Sequence, residues 1–426
     1  MREHPSFKDF GAIASSLTLN GVAGIILFAL NFVLAKYYDS EEVGRFLLMF
    51  NLLLVFSGFS RIGYDNALVK YIAIARTSND IKKVSGLYRQ ALLTSVLISL
   101  AIGLFFFLLS DPISLIVFED KSFAVYLKYL GICLTPFTIN IIHAYCFQGS
   151  KNHKAAIVFL HIFVPLGFLI SVFFVRGDSV ESLALMAVFV CFVAAIISLI
   201  SFFTYGINLK YKLEPFLKTE FKRTALEIFP TSILFLILQW SPPILIAFWL
   251  DYSEVAVFSI AFRAATLMVI VLVAVNVVFT PRFSELFEQK KMAEVEAIAK
   301  KSVKILFFFA CPMLIVFWLC DEWILSLFGS EYIVGSTAFI ILLIGQFVNV
   351  CTGSVGGLLQ MTGYQNLFTL NMSVAVVILF LLSILLIPFY GISGAAIASA
   401  VALSVQNILG VYWVKQKLGI NLLKIF

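Results

Sequence analysis

The chain alternates long uncharged apolar runs with short charged segments. Runs at 11–35, 91–110, 129–149, 155–175, 182–205, 228–250, 336–363, 367–390 and 391–414 each reach the roughly 20 residues that cross a bilayer as a helix. The last two form one stretch, divided at Pro388-Phe-Tyr-Gly391 by turn residues. Three further runs tolerate charge: 43–71 carries Arg61 and Asp65, 255–280 carries Arg263, and 305–327 ends on Asp321 and Glu322. The pattern predicts an all-α integral membrane protein with 12 transmembrane helices.

Composition agrees. Of 426 residues, 61% are hydrophobic and only 13% charged, against about 25% charged in a soluble domain. Such a chain cannot coat itself with polar groups, so lipid is its solvent. Lys and Arg are unevenly distributed. With the N-terminus in the cytoplasm, the inside segments hold 23 of them and the outside segments 5, which places both termini in the cytoplasm. No basic, aromatic-interleaved module appears, so nucleic acid is not an expected partner. The six cysteines lie in or beside apolar runs without a C-x-x-C pair and read as packing residues. Arg2 and Lys8 precede an apolar run too long for a signal peptide, with no small-residue cleavage site at Lys36-Tyr-Tyr-Asp39; it reads as a retained first span. The stretches 206–224 and 281–304 are charged and amphipathic and predict helices on the cytoplasmic surface. No segment is large enough for a separate catalytic domain.

The halves repeat. Asp39-Ser-Glu-Glu-Val-Gly-Arg-Phe opens helix 2 and Asp251-Tyr-Ser-Glu-Val-Ala-Val-Phe opens helix 8; Leu109-Ser-Asp follows helix 3 and Leu319-Cys-Asp follows helix 9. Six spans per half give parallel repeats about an axis along the membrane normal. The expected organisation is an N-terminal six-helix lobe at 1–205, a cytoplasmic linker at 206–224, a C-terminal six-helix lobe at 225–414 and a cytoplasmic tail at 415–426. Two bundles face to face would enclose a cavity that opens to either side, the architecture of alternating access.

Phe328-Gly-Ser-Glu-Tyr332, Leu359-Gln-Met-Thr-Gly-Tyr-Gln365 and Tyr390-Gly-Ile-Ser-Gly-Ala-Ala-Ile-Ala398, in that order, resemble the polysaccharide flippases of the MOP superfamily, the Wzx-type O-antigen and exopolysaccharide repeat-unit translocases. Glu41-Glu-Val-Gly-Arg-Phe46 and Lys300-Lys-Ser-Val-Lys304 fit as well. The resemblance implies a V-shaped, two-lobed MATE/MOP-like fold in a bacterial inner membrane. It also implies flipping of an undecaprenyl-pyrophosphate-linked oligosaccharide to the periplasmic leaflet, with no cofactor and no catalysis. A polysaccharide polymerase and a chain-length regulator are the implied protein partners, beside membrane lipid. Members often carry cations inside helices 1, 2, 7 and 8; this chain matches on 2 and 8 and departs on 1 and 7.

Arg263, near mid-bilayer, costs at least about 2.5 kcal/mol on insertion scales and must face water, a partner or an anion; the functional reading is a diphosphate or acidic-sugar site, against inter-helix pairing. Arg61 and Asp65, at i and i+4, read either as a substrate-facing arginine with a proton-coupling carboxylate or as an internal ion pair. Pro242 and Pro243, in Trp240-Ser-Pro-Pro243, are expected to interrupt helix 7 as a gating point or a fixed kink. Span amides such as Asn20, Asn31, Gln239, Asn276, Gln346, Asn349, Gln406 and Asn407 could bind sugar, though inter-helix bonding is the commoner role. His143 and His161 lack carboxylates at ligand spacing, so a metal site is not expected. The rivals are a MATE-type multidrug or cation antiporter, which needs carboxylates deep in its helices, and a membrane glycosyltransferase, polymerase or ligase, which needs larger outside loops.

The charge count makes a direct prediction. Topology reporters fused near Lys218 and Lys290 will read as cytoplasmic, and those near Arg176 and Glu331 as periplasmic; the opposite pattern would invert the assignment.

Overall fold

The computed structural model describes residues 7–78, 80–175, 180–204 and 209–422, the side chains of 7–17, 180, 277, 278 and 281 excepted. Arg2, Arg176 and Lys424 lie outside them. Every regular element among the described residues is helical. In chain order they are α1 (Phe7–Tyr37), α2 (Ser40–Arg61), α3 (Tyr64–Thr77), α4 (Ile81–Leu108), α5 (Ser110–Val117), α6 (Ala124–Gly149), α7 (His153–Ile157), α8 (Phe163–Phe174), α9 (Val180–Phe203), α10 (Pro215–Ile246), α11 (Tyr252–Thr266), α12 (Val269–Glu288), α13 (Met292–Leu319), α14 (Asp321–Ser326), α15 (Ser336–Cys351), α16 (Val355–Met361) and α17 (Gln365–Leu418).

Among the described residues ten helices are long and apolar enough to cross a membrane, or eleven with the bent pair α11–α12. α17 counts once among them, yet its 54 residues would measure about 81 Å, far beyond a hydrocarbon core of about 30 Å. Its backbone breaks at Gly391 (φ 55°, ψ −138°), at the end of the Pro388–Gly391 stretch where the sequence divides the run. Large apolar side chains stand on the outer surface, among them Ile116, Phe174, Leu319 and Phe389, as a lipid-solvated surface requires.

The chain divides into two compact units, Met1–Leu236 and Ile237–Phe426. The division falls inside α10, so 225–236 cluster with the first unit. In that unit α6 is the hub, packed by α2, α3, α4 and α9. In the second, α15 is the hub, packed by α11, α13 and α17. The two hubs hold the same place in the repeat. Each half also inserts a short helix, α5 or α14, and a 3-10 turn, Lys121–Phe123 or Ser330–Gly335, before its hub. The repeat read from a few acidic residues is therefore carried by the order and packing of the elements.

Two expected features differ. The charged stretch 281–304 is the end of α12, a turn and the start of α13, and the described part of 206–224 leads into α10; they prolong membrane helices rather than form separate surface helices. Helix 7 is not interrupted at its prolines: α10 runs through Pro242 and Pro243 and ends at Ile246. The two prolines cannot donate to the carbonyls of Leu238 and Gln239, yet the helix continues past them, and the Pro243 carbonyl accepts from Ala247 N (3.3 Å).

Polar groups tie the helices of the first unit. His143 on α6 is fully buried between Tyr88 Oη (2.7 Å) and Ser198 Oγ (2.7 Å). Ser198 donates to the Ala195 carbonyl, so it accepts from His143 Nδ1–H, and Nε2 accepts from Tyr88. Both ring nitrogens thus join α4, α6 and α9. At the opposite end of the unit, Arg45 pairs with Glu41 and Asp120 (3.1 Å). Burial alone would push the Asp120 carboxyl up; hydrogen bonds from Ser122 and the charge of Arg45 outweigh it and hold the group below its ordinary value.

α4 and α6 touch through bare backbone. A Cβ on Gly103 would lie 2.5 Å from the Gly131 carbonyl oxygen, and one on Gly131 would lie 2.5 Å from that of Gly103. Gly131→Val will therefore force the hub helix off α4 and cost about 1–3 kcal/mol, read as a lower unfolding temperature of the detergent-purified protein than for Gly24→Val, where nothing lies within 4 Å.

Candidate functional site

Both in-span arginines sit where a helix gives way. Arg61 is the last residue of α2, followed by Ile62 in the left-handed region (φ 44°, ψ 41°) and by Gly63 (φ 74°). A β-branched residue pays about 1–2 kcal/mol for that conformation, so surrounding packing must hold it. The grip comes from the start of α10. A Cβ on Gly63 would lie 2.2 Å from the Ala225 carbonyl oxygen, so only glycine lets the break seat there. Tyr64 and Tyr71 pack their rings on Phe221, Tyr71 Oη bonds Glu220 (3.0 Å) and Thr224 (3.1 Å), and Asn66 Nδ2 donates to Ser232 (3.0 Å).

Arg61 and Asp65 reach across this break. Arg61 Nε donates to Asp65 Oδ2 at 2.7 Å, and Nη1 to Ser57 Oγ at 2.5 Å. Arg61 is 6% and Asp65 3% exposed. Asp65 Oδ1 also accepts from Asn66 N (2.8 Å), satisfying an amide in the uncapped first turn of α3. The carboxylate thus neutralises the cation and caps the next helix.

Arg263 is half-buried in the last turn of α11, just before the 46° bend into α12. The bend tightens the hydrogen-bond ladder: Leu267 N bonds Ala264 O and Met268 N bonds Ala265 O, skipping the carbonyl one residue earlier. Arg263's own carbonyl accepts from Thr266 Oγ1 at 2.7 Å instead.

The span amides mostly bond protein. Asn31 donates to the Leu27 carbonyl (2.5 Å), Asn407 to the Leu403 carbonyl (2.9 Å) and Asn349 to Gln346 (3.2 Å), while Ser354 bonds Asn276. Among the described residues no cluster of metal-ligating side chains is present. The reading of the sequence missed Ser57, Asn66 and Ser232; Gly63 directly after the Arg61 turn was the available signal for a break.

The family described as "Polysaccharide biosynthesis protein" matches residues 11–287. The chain belongs to that family. The MatE family matches residues 230–389. A probable low-salt glycan biosynthesis flippase, Agl15, from Haloferax volcanii is 24% identical over 186 residues, 43% of this chain and 39% of that protein. The chain therefore matches about two-fifths of that relative's length. Among solved structures, the lipid II flippase MurJ in an inward closed conformation superposes with a TM-score of 0.75 at 14% identity, over 97% of this chain and 90% of that one. An inward-facing multidrug resistance MATE family transporter of the MOP superfamily gives 0.73 at 14%, over 93% and 94%. The fold of this family member is the MOP fold.

The ion pair predicts an asymmetry. Asp65→Asn strands a buried guanidinium and will cost about 3–5 kcal/mol, whereas an Arg61→Met, Asp65→Leu double substitution removes both charges and will restore most of that loss. Thermal unfolding in detergent distinguishes them; equal instability of the two would mean that the pair is not the source.

Proposed function

We propose that this protein is a transporter, not an enzyme, that flips undecaprenyl-pyrophosphate-linked oligosaccharide repeat units from the cytoplasmic to the periplasmic leaflet of a bacterial inner membrane by alternating access. The family match across 11–287 carries this reading. It is supported by the arginines at the two helix interruptions, since a cation held at membrane depth suits an anionic diphosphate. Both termini are read as cytoplasmic, and a polysaccharide polymerase and a chain-length regulator as the proteins that take up the product. O-antigen or exopolysaccharide is the destination. In this reading Arg263 and Arg61 contact the diphosphate, Asp65 sets Arg61 or takes a coupling proton, and Pro242 and Pro243 mark a flexing end of α10.

The MatE match over 230–389 favours a second reading, a multidrug or cation antiporter. Its site would have to accept a cationic drug. Arg61 stands against Asp65 at 2.7 Å, and an arginine beside the site repels a cation.

Arg263→Ala will stop flipping while the protein inserts normally, because the uncharged helix is easier to accommodate in lipid. Arg263→Lys will keep part of the activity as a point charge without the bidentate fork. The measurement is accumulation of lipid-linked repeat units in the cytoplasmic leaflet, scored beside membrane abundance. Full transport by the alanine variant would remove Arg263 from the site; loss of the protein itself would make its role structural.

A further inference from the structure

A groove of about 730 Å³ runs down the outer face of the first unit between α4, α6 and α9. Its lining is apolar, and Leu100, Phe107 and Ile196 on its walls are exposed. α4 and α6 close to backbone contact at Gly103 and Gly131 on its lining, while Phe192 and Phe203 on α9 flank it.

The groove has a direction. On α4 the lining residues Leu92, Leu100, Gly103 and Phe107 continue downward through Arg89, which stands one turn below Leu92 on the same stripe. Arg89 is half-buried, and Lys210 follows directly on Leu209, the lining residue at that end, and is exposed. Close by, Lys82 lies over the Tyr211 ring (5.7 Å), and Leu213 lies against Gly86, so Tyr211 and Leu213 sit against the start of α4. Cations therefore gather at one end of an otherwise apolar groove. Leu92 to Phe107 spans about 22 Å at 1.5 Å per residue, more than half and less than all of a hydrocarbon core of about 30 Å. That length fits an acyl chain of a lipid seated in one leaflet and falls well short of a long polyprenyl chain.

We propose that the α4–α6–α9 groove is a binding site for an anionic phospholipid of the bilayer, its acyl chain in the groove and its phosphate between Arg89 and Lys210. A basic pocket at the end of an inter-helix groove is the arrangement that selects anionic headgroups. The site is separate from Arg61 and Arg263 and does not depend on what the protein transports.

Native mass spectrometry of the full detergent-purified chain, titrated with phosphatidylglycerol, phosphatidylcholine or undecaprenyl phosphate, tests it. Phosphatidylglycerol will be retained at least tenfold better than phosphatidylcholine. Arg89→Gln with Lys210→Gln will remove that preference, and Leu100→Trp with Ile196→Trp, which fill the groove from exposed wall positions, will remove retention of phosphatidylglycerol. Equal retention of the two phospholipids by the unaltered protein, or retention untouched by the tryptophans, would overturn the site. Undecaprenyl phosphate displacing phosphatidylglycerol would overturn the assigned occupant by giving the groove to a transported lipid.

Discussion

A peptide group in hydrocarbon has no water to turn to, so any departure from helix within a span must be satisfied by the protein itself. The shape of both units follows from how that constraint is met. At the α2–α3 break the Asp65 carboxylate serves an amide of α3 and the guanidinium of Arg61 together. At the α11–α12 bend the ladder shortens by one residue and Thr266 takes the skipped carbonyl. Between α7 and α8, a π turn at Val158–Ile162 has its Phe159 carbonyl taken by Asn140 Nδ2 of α6 at 2.9 Å. At these three interruptions the partner is one short polar side chain, Asp65, Thr266 or Asn140.

The repeat shows the same requirement answered twice by different chemistry. Helices 2 and 8 begin alike, at Asp39 and Asp251, and each gives way after an arginine. In the first, a glycine supplies positive φ and a carboxylate fixes the break; in the second, Leu267 and Met268 keep ordinary right-handed torsions, and the bend is made by hydrogen-bond shift. What the halves share is the place of the interruption and the hub helix beside it, α6 or α15, not the residues that make it.

This difference explains what the sequence disclosed. Apolar runs announce themselves because about 20 consecutive residues must avoid charge, and the turn at Pro388–Gly391 divided α17 correctly because proline and glycine act locally. The Arg61–Asp65 pair was visible as an i, i+4 spacing; that it straddles a break was signalled only by Gly63, because Ile62 carries no intrinsic preference for positive φ and the contacts of Gly63 and Tyr64 with Ala225 and Phe221 come from a helix distant in sequence. The α11–α12 bend left no glycine or proline to read. The prolines of α10 misled because a proline withdraws a backbone donor without by itself ending a helix, and α10 continues through both to Ile246.

The Arg61–Asp65 pair also shows why this break tolerates little change. Asp65 Oδ2 accepts from Arg61 and Oδ1 from the Asn66 amide, while Ser57 Oγ takes a second guanidinium donor. Removing the carboxylate would leave a buried cation and an amide of α3 without their partner at once. One side chain therefore holds both the charge and the backbone turn, and the break and the arginine stand or fall together.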